Sequence, residues 1–193
     1  MNERIRREIK EWTESIVIAL ILALFIRHFV VQAFKIPSGS MIPTFLVGDR
    51  IFVNKFIYGA RVPFTDIRLP SVHEPERGDI IVFKSPDDPK KDFVKRLIAL
   101  GDETVEIRDG NIYIDDKVVD RPQSIRSNYY YNRGDYGKEG SKISVPPRSF
   151  YCLGDNSASS RDSRYWGFVP KKNLIGKAMF IYWPIHRMRV IKG

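Results

Sequence analysis

Hydrophobic and polar positions divide the chain into one long apolar block followed by many short alternating ones. Ile16–Ile26 is apolar without interruption; Arg27-His28 follows, then Phe29-Val30-Val31. A run that is apolar all round does not lie on a surface as an amphipathic helix. Three readings remain: a membrane anchor, a cleaved signal peptide and a buried core helix. No small-x-small cleavage pattern follows the run. Thr13 to Phe34 is long enough to span a bilayer if Arg27 and His28 snorkel to the far interface, with Trp12 marking the near one. The expectation is a single transmembrane helix over residues 13–32, after a charged segment over 1–12 and before a domain over 33–193.

The remaining blocks have strand character. Ile51–Ile57, Ile80–Phe83, Phe93–Leu100, Ser149–Leu153 and Lys177–Trp183 read as strands. Val105–Ile107 and Ile112–Ile114 alternate on both sides of Asp109-Gly110, the strongest hairpin signal in the chain. Residues 58–78, rich in proline and glycine, read as a loop. Residues 111–148 hold the variable part of the chain, and 120–148 reads as a polar, tyrosine-rich excursion. The fold class is mainly β: an antiparallel β-rich domain carried by one N-terminal helix.

Charge refines the topology. The 193 residues carry a formal net charge of +9. A basic chain suits nucleic acid or an anionic membrane surface. No zinc-ligand spacing, RNA-binding aromatic motif or basic heptad accompanies the charge, so nucleic acid is not an expected partner. Arg4, Arg6, Arg7 and Lys10 precede the apolar block, whereas Lys35 is the sole basic residue in the eighteen after Val31. By the positive-inside rule the N-terminus is cytoplasmic and the β domain lies outside. Cys152, the one cysteine, permits no intramolecular disulfide.

Three stretches could carry chemistry. Phe34–Thr44 (FKIPSGSMIPT) places Ser38 and Ser40 around Gly39 and between Pro37 and Pro43. Prolines stiffen such a segment and glycine lets backbone approach closely. It is either a structural corner or a place where a hydroxyl is held still. A hydroxyl nucleophile needs a base. His28 sits in the apolar block, His73 in a proline-rich loop and His186 after the last strand, none in a triad-like context. No metal-binding motif is present, and no cofactor is expected. Lys95 is the alternative base. Alternation places it with Phe93, Leu97 and Ala99, and a lysine desolvated on an apolar face loses its proton more easily. A lysine at a sheet edge with its head in water is the rival reading. The third stretch, Gly154–Pro170 (GDNSASSRDSRYWGFVP), is dense in hydroxyls and holds Asp162 and Arg164. By itself it reads as a polar loop with an ion pair.

Taken together, PSGSMIPT, RGDIIVFKSP…DFVKR and GDNS…SRDSRYWGFVP, after one apolar segment, closely resemble bacterial type I signal peptidases. That family is a membrane-bound serine endopeptidase with a Ser/Lys dyad. It removes signal peptides from preproteins at the outer face of the bacterial cytoplasmic membrane. The resemblance implies Ser40 as nucleophile and Lys95 as general base. It assigns Ser38 and the Ser40 amide to an oxyanion hole and Ser160 to orienting Lys95. Asp162 and Arg164 become a supporting ion pair. Ile36, Pro37, Val82, Phe93 and Val94 are expected to line the substrate pockets or pair with the substrate backbone. The implied partners are signal-bearing preproteins and the lipid bilayer. The chain departs from the family pattern at Phe45, at Leu100-Gly101-Asp102 (one proline short) and at Ser157 and Ser159; it also has one anchor where some members have two. A shifted strand end beyond Lys95 and altered ion pairing near Ser157 are the expected places for consequences. Two other readings stand: a membrane-tethered β domain that binds extended peptides or anionic lipid without hydrolysis, and a related Ser/Lys protease with one dedicated or self substrate.

Overall fold

The computed structural model describes residues 3–59, 65 and 69–191. The loop expected over 58–78 lies partly outside that range. Helix α1 (Glu3–Phe25) runs into a π-helical turn, Ile26–Val30, and then directly into strand β1 (Val31–Lys35). Strands β2 (Arg50–Asn54), β3 (Ile80–Lys84), β4 (Asp92–Ala99), β5 (Thr104–Arg108), β6 (Asn111–Ile114) and β7 (Lys117–Val118) follow. The one-turn helix α2 (Gln123–Arg126), β8 (Ile143–Ser144) and β9 (Ser149–Leu153) come next. The chain closes with α3 (Ser163–Trp166), β10 (Val169–Pro170), β11 (Leu174–Trp183) and β12 (Arg189–Val190).

Among the described residues the strands form two antiparallel sheets. One runs β1-β2-β11-β3-β4-β9-β10 with β12 on β11; the other runs β7-β6-β5-β8. The β5–β6 hairpin turns on Asp109 (φ 49°) and Gly110 (φ 76°), the left-handed pair that a two-residue hairpin needs. Its inward residues Val105, Ile107, Ile112 and Ile114 pack with Tyr130, Tyr151 and Leu153. A second cluster joins Ile36, Met41 and Phe45 to Ile51, Val53 and Val82. The stiff segment after β1 is therefore seated by Ile36, Met41 and Phe45, while Ser38 stays exposed.

The N-terminal expectation changes in detail. No described helix is long and apolar enough to cross a membrane. The charged first turns use part of α1, and the stretch from Ile16 to Val30, interrupted by Arg27 and His28, is roughly 22 Å long at helical rise. Val31 and Gln32, expected inside a transmembrane helix, are strand residues facing Asn54 and Val53 of β2. The buried core helix is also excluded for α1, because Ile16, Ile18, Leu20, Ile21, Leu22 and Leu24 are all exposed.

Candidate active site

The turn Gly39–Met41 is a single 3-10 turn starting at Ser38, and Met41 is buried beneath it. Two contacts fasten it from the other side of the domain. Asn156 donates from its backbone N–H to the Ser40 carbonyl at 3.1 Å and from Nδ2 to the Gly39 carbonyl at 3.0 Å. The early N–H groups of a helical turn have no intrahelical acceptor, and the Ser40 amide is one of these.

Lys95 comes from the middle of β4, whose register on β3 is regular from Asp92 to Arg96. Its Nζ donates to Ser40 Oγ at 2.6 Å. The lysine is 3% exposed. Burial pulls its pKa from 10.5 down to about 8; Asp162, Asp155 and Cys152 oppose the drop and Arg164 adds to it. The edge-lysine reading fails on this burial. The Cys152 thiol is itself pushed well up by complete burial.

A cleft of about 310 Å³ opens beside the pair, lined by Ile36, Pro37, Ser38, Ser40, Met41, Phe93, Val94 and Lys95, with Lys91 and Asp92 at one end. Four of the five expected substrate-contact residues line it. Val82 does not: it is fully buried in β3, opposite Val94, and packs behind the wall. Ser38 is exposed at the cleft wall. On its outer side β4 meets β9 only from Arg96 onward. Among the described residues, Asp92–Lys95 therefore offers one unpaired strand edge to the cleft.

The third stretch supports this arrangement from below. Asp162 and Arg164 are fully buried and joined by two bonds of 2.8 Å. Asp162 also accepts from the Gly154 N–H at 3.0 Å. Arg164 donates to the Tyr131 carbonyl, the Ser157 hydroxyl and the carbonyls of Ser157 and Ser160. Ser157, one of the departures from the family pattern, thus completes the coordination of Arg164 instead of weakening it. Ser160 Oγ is buried and has no hydrogen-bond partner among the described residues, so no bond links it to Lys95 here. A Cβ on Gly154 would stand 2.2 Å from Ser160 Oγ and 2.5 Å from the Ser40 carbonyl, so only glycine lets these two strands of the site close on each other. Where the family pattern has one more proline, β4 runs on past Lys95 to Ala99, with an irregularity in its pairing between Leu97 and Ala99.

A second buried ion pair is not apparent from the sequence. Arg96 holds Asp155 with two bonds of 2.7 Å, and both side chains are nearly inaccessible. Thr44 donates to Asp155 at 2.5 Å, tying the far end of the Phe34–Thr44 segment to the same pair. The available signal is Arg96 itself, an arginine on a strand face shared with Val94 and Ile98, which demands a buried carboxylate. Phe45, another departure, is a core residue with no accessible surface.

The sequence profile of the signal peptidase family, peptidase S26, matches residues 9–183. The chain belongs to the signal peptidase family. Relatives spread across bacteria. A signal peptidase I of Pseudomonas aeruginosa is 33% identical over 221 aligned residues, which cover 96% of this chain and 78% of that protein. One from Leptolyngbya laminosa is 38% identical, covering 92% of this chain and 81% of the relative. A solved signal peptidase I from Enterococcus faecalis is 32% identical, with a TM-score of 0.46 over 54% of this chain and 97% of that one. Membership of the signal peptidase family makes the chain a serine endopeptidase.

Proposed function

We propose that the chain is a membrane-bound signal peptidase that cuts preproteins after small residues with a Ser40/Lys95 dyad. The carrying observation is the 2.6 Å contact between Ser40 Oγ and a buried Lys95 Nζ. A desolvated lysine holds its proton weakly enough to act as a base near neutrality. In the neutral state the hydrogen bond reverses, with the serine O–H donating to Nζ. Ser40 Oγ attacks the scissile carbonyl as its proton passes to Lys95. The tetrahedral oxyanion is met by the Ser40 amide and the Ser38 hydroxyl; one such donor is typically worth about 3 kcal/mol in the transition state. Lys95 hands its proton to the leaving amine, giving an acyl-enzyme on Ser40. It then takes a proton from the water that releases the acyl group. Ser160 is assigned to orienting Lys95 by the family resemblance; its buried hydroxyl has no partner among the described residues and is left over for that role.

The cleft supports the substrate assignment. An extended chain adding to the free edge of Asp92–Lys95 supplies main-chain bonds, and alternate side chains turn inward. Ile36, Phe93 and Val94 leave room there for small residues. The exposed apolar side chains of α1, together with the turn to Val30, favour burial in or against a bilayer, N-terminus inward. Signal peptides tethered in that bilayer would meet the cleft close to its surface.

The test is cleavage of a signal-bearing preprotein by full-length protein in detergent, beside Ser40→Ala and Lys95→Ala. Wild type yields a shortened product and neither variant does, although both keep the wild-type circular dichroism. Near-wild-type turnover by either variant sinks the dyad. Binding without cleavage by the wild type would leave a non-hydrolytic peptide-binding domain.

A further inference from the structure

One aromatic ring beside the site has no part in the mechanism above. Trp166 ends α3, in the same motif as Asp162 and Arg164. Its indole lies flat on the Phe93 ring, with centres 5.1 Å apart and planes at 7°. Phe83 meets the Phe93 ring edge-on, with centres 6.4 Å apart. Phe93 therefore has a ring on one face and an edge against it, and few rotamers left. The same ring lines the cleft, and Lys95 Nζ stands 5.8 Å from its centre.

We propose that Trp166 is a positioning residue for the dyad and the cleft, holding Phe93 where it both walls the substrate's path and shields Lys95 from water. The polar atom of the indole argues for this. Nε1 is buried and makes no hydrogen bond among the described residues. A buried donor left unpaired is unfavourable, so the side chain contributes through its ring area. Stacked aromatic pairs at this separation also attract each other beyond simple burial. Trp166 acts on the chemistry through Phe93, two residues before Lys95 on the same strand face.

The consequence for Lys95 follows from its surroundings. The charged and titratable groups facing it are Asp155 and Asp162 from the loop after β9, Arg164 from α3 and Cys152 from β9; burial outweighs all of them. Removing the indole frees Phe93 to rotate and admits water toward Nζ. Rehydration favours the ammonium form, so the base is then neutral over a narrower pH range.

The inference rests on the Ser40/Lys95 reading, and the experiment separates the two. The pH dependence of kcat/KM on a short peptide with alanine one and three residues before the cut is compared for full-length wild type, Trp166→Phe, Trp166→Leu and Trp166→Ala. Trp166→Ala and Trp166→Leu are expected to move the acid limb upward by about one pH unit, with roughly tenfold lower kcat/KM at pH 7 and a smaller loss at pH 9. Trp166→Phe keeps a stacking ring and no unpaired donor, and restores the wild-type limb. An equal loss at every pH, with the limb unmoved, overturns the proposal, as does a Phe variant no better than Leu. Should Trp166→Ala fail to fold, the Phe-against-Leu comparison decides the same question. Ser40→Ala in the same series distinguishes failure of the dyad: if it stays active, the Ser40/Lys95 reading falls, whatever the Trp166 variants do.

Discussion

Replacing Lys95 with methionine should make the protein more stable and abolish its activity. The folded chain holds Lys95 near pKa 8 against an ordinary 10.5. Below pH 8 both folded and unfolded chains carry the proton, so the folded chain bears the full cost of a buried charge. At about 1.36 kcal/mol per pH unit, that cost is about 3 kcal/mol. Between pH 8 and 10.5 the unfolded chain holds the proton and the folded chain does not, so stability rises with pH and then levels. Methionine fills a similar volume without charge but forfeits the bond to Ser40, worth about 1 kcal/mol. The expected net gain at pH 7 is therefore about 2 kcal/mol, an increase of about 1 M in urea midpoint at an ordinary denaturant slope. The assay is urea unfolding of both proteins in the same detergent at pH 7 and pH 10.5, followed by tryptophan fluorescence. The gap between the proteins should close at the higher pH. A methionine variant no more stable at pH 7, or a gap that does not change with pH, would refute the claim that the enzyme maintains its base by burying a charge.

The activity of the wild type should rise about tenfold between pH 7 and 9, because a base with pKa near 8 passes from mostly protonated to mostly neutral over that interval; a hundredfold rise would indicate an unperturbed lysine. Asp162→Asn leaves the Arg164 guanidinium buried without its carboxylate, and loss of one partner of such a pair costs about 3–5 kcal/mol; a change below 1 kcal/mol in chemical denaturation would contradict the pair's supporting role. Gly154→Ala drives a methyl group into Ser160 Oγ and the Ser40 carbonyl, so kcat should fall at least tenfold; unchanged kcat would mean that the two segments separate without consequence.

Much of the architecture is legible in the chain because its signals are local. Asp109-Gly110 specifies its hairpin within ten residues, and β3, β4, β9 and β11 each carry enough apolar side chains to be read alone. Strand β1 is hidden because Val31–Lys35 follows directly on a block that is apolar all round and has no period to break, and a one-strand tail on such a block has no separate signature. The two-residue strands β7, β8, β10 and β12 are too short for any periodicity. At the site, Ser40 and Lys95 are readable as chemical types, and the family resemblance joins them. The pairing of Arg96 with Asp155 is not, since the partners are separated by 59 positions and either could serve a surface bridge. The stacking of Trp166 on Phe93 is non-local in the same way. Val82, expected at the substrate pockets from the family resemblance, lies behind the cleft wall with no accessible surface, because a motif match carries a position in a strand but not the layer that covers it.

The coordination of Arg164 bears on how the chain tolerates change. The segment from Tyr131 to Gly137 closes over this arginine with its backbone: the Tyr131 carbonyl accepts from it, and the Tyr136 N–H donates to its carbonyl. Gly134, at φ 63°, has no room for a Cβ, which would fall 2.1 Å from the Arg164 oxygen; at Gly137 a Cβ would come 2.7 Å from Arg164 Cγ. Backbone contacts are indifferent to side-chain identity but sensitive to chain length. The tyrosine-rich excursion is thus free to drift in composition while being locked in register: substitutions at its exposed positions are absorbed, whereas a single inserted or deleted residue between Tyr131 and Gly137 reaches Ser40 through Arg164, Asp162 and Gly154.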